Sequence, residues 1–171
     1  MAETRRHSER GPVGDQVAEN IRRLRRKTTE QLAGEVSELG VPMTASTVTK
    51  IEKQGRRVTV DELVALAAAL GVSPVTLMLP SEDPDGPIRL AERLTSTDWR
   101  TAWRWMHGQT NFVARLWPGG GGSPLSWLAV NRPYLTPQEV QEEMQRYAQP
   151  APLSVEALQE AQGDEDDGNS R

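Results

Sequence analysis

Between Val17 and Met78 the apolar residues come in short bursts at helical spacing, each fenced by a capping or stopping residue. This pattern constrains the fold tightly. A stripe at i, i+3, i+4 and i+7 buries one side of a helix, whereas a half-buried strand needs strict alternation. Val17, Ile21 and Leu24 predict a first helix over residues 15–27, with Arg22, Arg23, Arg25, Arg26 and Lys27 crowding its last turns. Thr28 followed by Gln31 is a capping box that opens a second helix, with Leu32, Ala33 and Val36 inward and Leu39 extending that face. Gly40, Val41 and Pro42 interrupt it. A third helix runs from Thr44 as N-cap through Glu52, with Val48 and Ile51 inside and Gly55 after its end. Thr59 with Glu62 opens a fourth, whose buried stripe is Leu63, Leu66, Ala67 and Leu70 and whose stop is Gly71. Ser73-Pro74 starts a short fifth helix carrying Val75, Leu77 and Met78. Five helices with short connections make a compact all-α domain, and the second and third are candidates for a helix-turn-helix.

Composition narrows the function. The 171 residues include no cysteine, which excludes a disulfide scaffold, a thiolate zinc site and a cysteine nucleophile. The longest apolar stretch, Leu63 to Val72, is about half of what a membrane-spanning helix needs, and the polar opening residues do not read as a signal segment. A cytoplasmic protein is expected. The net charge of -4 conceals an asymmetry: residues 1–60 hold 12 Lys/Arg against 8 Asp/Glu, while residues 61–171 hold 8 against 16. A basic front half directs attention to nucleic acid. The excess of arginine over lysine suggests a GC-rich bacterial source.

Thr28-Thr29-Glu30-Gln31-Leu32-Ala33, then Thr44 through Glu52 (TASTVTKIE), then Gly55-Arg56-Arg57 and the run LVALAAALGVSP at 63–74, resemble the phage-repressor (Xre/Cro type) helix-turn-helix family. The resemblance spans residues 14–80. The turn before the third helix is longer than the family's by about two residues, and Gln54 reads as an insertion. The resemblance implies a five-helix, lambda-repressor-like domain that binds double-stranded DNA, with the third helix in the major groove. It assigns base reading to Ala45, Ser46, Thr49 and Lys50. Lys50 can reach guanine O6 or N7, the hydroxyls suit several bases, and the Ala45 methyl suits a thymine methyl. Phosphate anchoring falls to Thr28, Thr29, Thr44, Thr47, Lys53, Arg56, Arg57 and Thr59, around the N-termini of helices two to four. The arginines of the first helix read as a solvated face. Arg5, Arg6, His7 and Arg10 form a basic arm that could track the backbone or a minor groove.

The remainder says less. The chain divides into a flexible basic arm (1–13), the DNA-binding domain (14–80), a polar linker (81–88), a Trp-rich helical region (89–149) and an acidic tail (150–171). Leu90, Leu94, Trp99, Trp103 and Met106 have helical spacing, with Trp105 off that face and Gly108 as the stop. The tryptophans read first as a small core packed against the first domain. Residues 118–123 (PGGGGS) lack the Gly-Lys-Ser/Thr ending of a phosphate-binding loop. Thr136-Pro137-Gln138-Glu139 caps a helix reaching about Tyr147. The carboxylates of 164–167 form a solvated acidic end. With only His7 and His107, no catalytic constellation or metal-ligand spacing stands out, so neither an enzyme nor a cofactor is expected. The expectation is a sequence-specific transcriptional regulator, acting as a repressor and as a homodimer. The alternative is an antitoxin-like module that binds a protein partner through residues 89–149.

Overall fold

The computed structural model describes residues 11–53, 55–112 and 123–148. Residues 1–10 of the basic arm, Gln54, residues 113–122 with most of the glycine-rich loop, and the acidic tail lie outside the described residues, while Pro12 and Val13, read as part of the flexible arm, belong to the first helix. Five helices come first: α1 (Pro12–Leu24), α2 (Thr29–Glu38), α3 (Ala45–Glu52), α4 (Val60–Leu70) and α5 (Pro74–Met78). A two-stranded antiparallel hairpin, β1 (Ile88–Ala91) and β2 (Leu94–Ser96), leads to α6 (Trp99–Met106). Helices α7 (Pro124–Asn131) and α8 (Pro137–Ala148) follow. The chain forms two compact units, residues 1–120 and 121–171.

Each expected cap has its hydrogen bond. The Thr28 and Thr59 hydroxyls accept from the Gln31 and Glu62 backbone N–H groups, and those two side chains return the bond in complete capping boxes. Thr44 caps α3 by accepting from Thr47 N–H. Gly71, at φ 70°, ends α4 in the left-handed region that glycine reaches without strain. Helix α1 departs from its expected range. Pro12 starts it in the first turn, where a missing N–H costs nothing, and Arg25 leaves it in an extended conformation. Arg25, Arg26 and Lys27 therefore lie in the α1–α2 connection.

The stripes named from the sequence meet in one core: Val17, Ile21, Leu32, Ala33, Val36, Val48, Ile51, Leu66 and Leu77 are all buried, with Met43 from the α2–α3 turn added. A polar side chain sits inside it. Asn20 is 1% exposed, and its Nδ2 donates to the carbonyls of Thr76, Leu77 and Leu79 at 3.1, 3.0 and 2.8 Å. The carbonyls at a helix end have no partner inside the helix, so the Asn20 amide supplies what α5 cannot.

The stretch read as helical from Leu90 is corrected by the structure. Residues 88–96 form the hairpin, because Ile88 and Leu90 are buried while Arg89 and Ala91 are exposed, a period of two that a helix cannot satisfy. Ile88, Leu90 and Leu79 join Ala102 in a second cluster, against which Val13, Val75, Trp99, Trp103 and Phe112 pack. The indole N–H groups of Trp99 and Trp103 both donate to the Pro80 carbonyl, at 2.8 and 3.1 Å. Their rings meet edge to face at 6.0 Å, and Trp105 meets Phe112 at 5.3 Å. The hairpin and α6 thus group with the first five helices, whereas the sequence read residues 89–149 as one region. In the second unit, Thr136 and Glu139 cap α8 reciprocally and Arg132 pairs with Glu143 at 3.1 Å.

Asn20→Asp keeps the shape of the side chain but turns a buried acceptor toward three carbonyls. A loss of about 3 kcal/mol is expected, read as a lower urea midpoint. A midpoint equal to wild type would show that the amide does not hold α5.

Candidate nucleic-acid interface

Helix α3 is held by its buried side and by two polar joints. Val48 and Ile51 face the core. In the turn before it, the Ser37 hydroxyl donates to the Ala33 and Met43 carbonyls, at 2.8 and 3.1 Å, and accepts from Met43 N–H at 3.1 Å. Gly40, at φ 88°, lets the chain leave α2 toward that turn. At the other end of α3, Arg25 Nε and Nη2 donate to the two Glu52 oxygens at 2.6 and 3.1 Å, and its Nη1 donates to the Lys27 carbonyl at 2.6 Å.

The solvated reading of the first-helix arginines therefore fails for Arg25. It is the joint that brings the start of α2 beside the end of α3. A carboxylate near a helix C-terminus is disfavoured by the dipole, so Glu52 on an otherwise basic helix was the available signal for an outside cation. Lys27 makes a second joint: its Nζ pairs with Glu35 at 2.5 Å and donates to the Ala69 carbonyl at 3.0 Å, linking α2 to the end of α4.

With Glu52 turned into that pair, the charges left on the outward face of α3 are those of Lys50 and Lys53. Ser46, Lys50 and Lys53 are exposed at i, i+4 and i+7, with Ala45 and Thr49 half-buried beside them. Thr49 Oγ1 donates to the Ala45 carbonyl at 3.0 Å, which leaves its lone pairs but not its proton for a ligand. Thr44 and Thr47 share a hydroxyl contact of 2.9 Å at the helix start.

The loop after α3 folds back onto it. Gly55 N–H donates to the Lys50 carbonyl at 2.7 Å, and a Cβ at Gly55 would lie 3.3 Å from that oxygen. The approach is tight for any side chain at this position, and Arg56 and Arg57 follow directly after it. The sequence-predicted residues thus fall into three stretches: residues 28–29, tied toward the end of α3 through Arg25; residues 44–50, along α3 itself; and residues 53–59, which fold back on α3 through Gly55.

The helix N-termini are not equivalent. Asp15, Glu30, and Asp61 with Glu62 sit in the first turns of α1, α2 and α4, but α3 has no acidic residue in its first turn. At α2, backbone N–H of Glu30 and the Thr28 hydroxyl hold the Glu30 carboxyl below the usual carboxylate range, so that end already carries an anion. At α4, the Glu62 carboxylate accepts from Thr59 N–H at 2.9 Å and pairs with the Arg56 guanidinium. Arg56 is thereby engaged within the protein, while Arg57 and Thr59 stand exposed.

Residues 20–77 match the model of the helix-turn-helix family, about a third of the chain. This segment is a helix-turn-helix domain, the architecture of DNA-binding regulators. Neither a curated protein nor a solved structure matches the chain. No helix among the described residues is long and apolar enough to cross a membrane.

Burial alone raises the pKa of the Glu62 carboxyl. The Thr59 N–H and the hydrogen bond and charge of Arg56 outweigh it, so the group titrates below its usual range. A depressed folded pKa contributes stability that is full above the ordinary glutamate value of about 4.3 and is lost as pH falls through the folded value. The difference in Tm between wild type and Glu62→Gln should be widest near neutrality and close on acidification below about pH 4. A difference that does not change with pH would show that the pair is not linked to protonation.

Proposed function

We propose that this helix-turn-helix chain is a sequence-specific transcriptional regulator that acts as a repressor by occupying its operator. The observation that carries this reading is α3: a helix seated on Val48 and Ile51, its one carboxylate withdrawn by Arg25, offering Ser46, Lys50 and Lys53 to solvent. Such a surface fits a major groove, where cations and hydroxyls meet base edges lined by phosphates.

Ser46 and Lys50 are the principal base readers, with Ala45 and the acceptor side of Thr49 next to them. Lys53, Arg57, Thr44, Thr47 and Thr59 are assigned to the DNA backbone. Thr28 and Thr29 are the weaker anchors in this reading, because Glu30 shares their helix end. Arg56 supports the site through Glu62 more than it contacts phosphate. One module of this size reads few base pairs, which favours a homodimer with two α3 helices about 34 Å apart in successive major grooves. In this reading the protein acts in the cytoplasm, and the excess of arginine over lysine favours a bacterial source. A second reading, an antitoxin-like clamp on a protein partner, draws on the second unit, where Leu125, Val130 and Tyr134 are 53, 78 and 72% exposed.

Random-oligonucleotide selection at about 0.15 M salt, where phosphate-only binding is screened, should enrich a palindrome. No enrichment would overturn the operator reading and favour the partner clamp. Lys50→Ala should relax preference at one base position at a loss of about 1–3 kcal/mol. Arg57→Ala should weaken binding to all sequences and lower the salt slope by about one. The same response from both variants would sink the division into readers and anchors.

A further inference from the structure

Four cations of the first five helices and their connections are paired within the protein: Arg22 with Glu19, Arg25 with Glu52, Lys27 with Glu35 and Arg56 with Glu62. The hairpin and α6 differ. Arg89, Arg93, Arg100 and Arg104 are all exposed, and none makes a side-chain hydrogen bond or ion pair among the described residues. Residues 88–108 carry these four arginines against two carboxylates, within a back half that is otherwise strongly acidic. One of the two, Asp98, is engaged at the N-terminus of α6, accepting from Thr101 N–H at 2.7 Å. Arg100 and Arg104 lie at i and i+4 on one helix face, where like charges repel. No ion pair among the described residues balances these four charges, and an external polyanion would. Arginine suits one with phosphates, since its planar fork bonds two oxygens at once.

The placement connects these arginines to the interface. Arg89 lines a cleft with Pro12 and Gln16 of α1. A second cleft joins Gly11 and Val13 of the same turn to Arg57 and Thr59 at the start of α4. Met78 lines both clefts. The first turns of α1 are therefore what stands between Arg57 and Arg89. Arg57 and Arg89 thus border two clefts that share Met78 and the start of α1.

We propose that the hairpin and α6 form a second, sequence-independent contact with the DNA backbone, flanking the site read by α3. The inference rests on the DNA-binding reading above, and extends it to a part of the chain outside residues 20–77. It predicts a longer footprint than the helix-turn-helix alone would give.

The test compares the full-length wild type with the fourfold variant R89Q/R93Q/R100Q/R104Q, by the dependence of log K on log salt. Two duplexes are used, one limited to the selected site and one extended by flanking DNA. On the extended duplex the wild-type slope should exceed that of the variant by about 2 to 4, at about 0.9 for each phosphate neutralised, with base preference unchanged. On the short duplex the two should agree. The corresponding fourfold lysine variant should keep most of the wild-type slope, since it keeps the charge. Equal slopes for wild type and the glutamine variant on extended DNA would overturn this contact, leave the α3 reading intact, and assign the arginines to an acidic protein partner. Wild type that binds neither duplex would overturn both readings. Sequence preference lost with the slope difference retained would overturn the operator reading alone.

Discussion

The amide of Asn20 holds together what the apolar stripes only bring near. Its Nδ2 satisfies three carbonyls at the end of α5, and the next residue along, Pro80, accepts from the indoles of Trp99 and Trp103. A five-residue helix cannot satisfy its own final carbonyls, and inside a core no water does it either. The segment from Thr76 to Pro80 is thus a seam of acceptors, filled from one side by α1 and from the other by α6. Leu77 belongs to the first core and Leu79 to the second, so one polar seam registers the two clusters against each other.

The interface depends on a similar arrangement of charge. A helix that is to meet phosphates must shed its carboxylates, yet the chain needs acids to cap helices and balance its arginines. The structure separates these demands. Glu52 is drawn to Arg25 and Glu62 to Arg56, both on sides that also fix the position of α3 and α4. What faces outward is Lys50, Lys53 and Arg57. The pairs that stabilise the domain therefore also set the sign of its surface, and any attraction of this face for an anion follows from the internal partners as much as from the exposed cations.

Much of this was legible in the chain. Thr28 with Gln31, Thr44, Thr59 with Glu62, and Ser73-Pro74 mark four helix starts because capping is a local hydrogen bond between residues three apart. Val48 and Ile51 identify the inner side of α3, and that leaves Ser46, Lys50 and Lys53 on the outer one. The hairpin was missed because Leu90, Leu94, Trp99 and Trp103 fit a helical period by coincidence, while the true alternation covers only Ile88 to Ala91. Four residues are too few to distinguish the two periods.

By itself the sequence determined the five helices, their order and most of the residues each turns inward, since these depend on neighbours within about one turn; Leu39, read as inward, is the C-cap of α2 and is exposed. Only the tertiary structure decided which cations remain available to a ligand. Arg25, Arg56, Arg57 and Arg89 are chemically alike, but two of them meet a carboxylate 27 or 6 residues away and two meet none among the described residues. Pairing across such separations is set by how helices pack, and packing is a property of the assembled core rather than of any local stretch of chain.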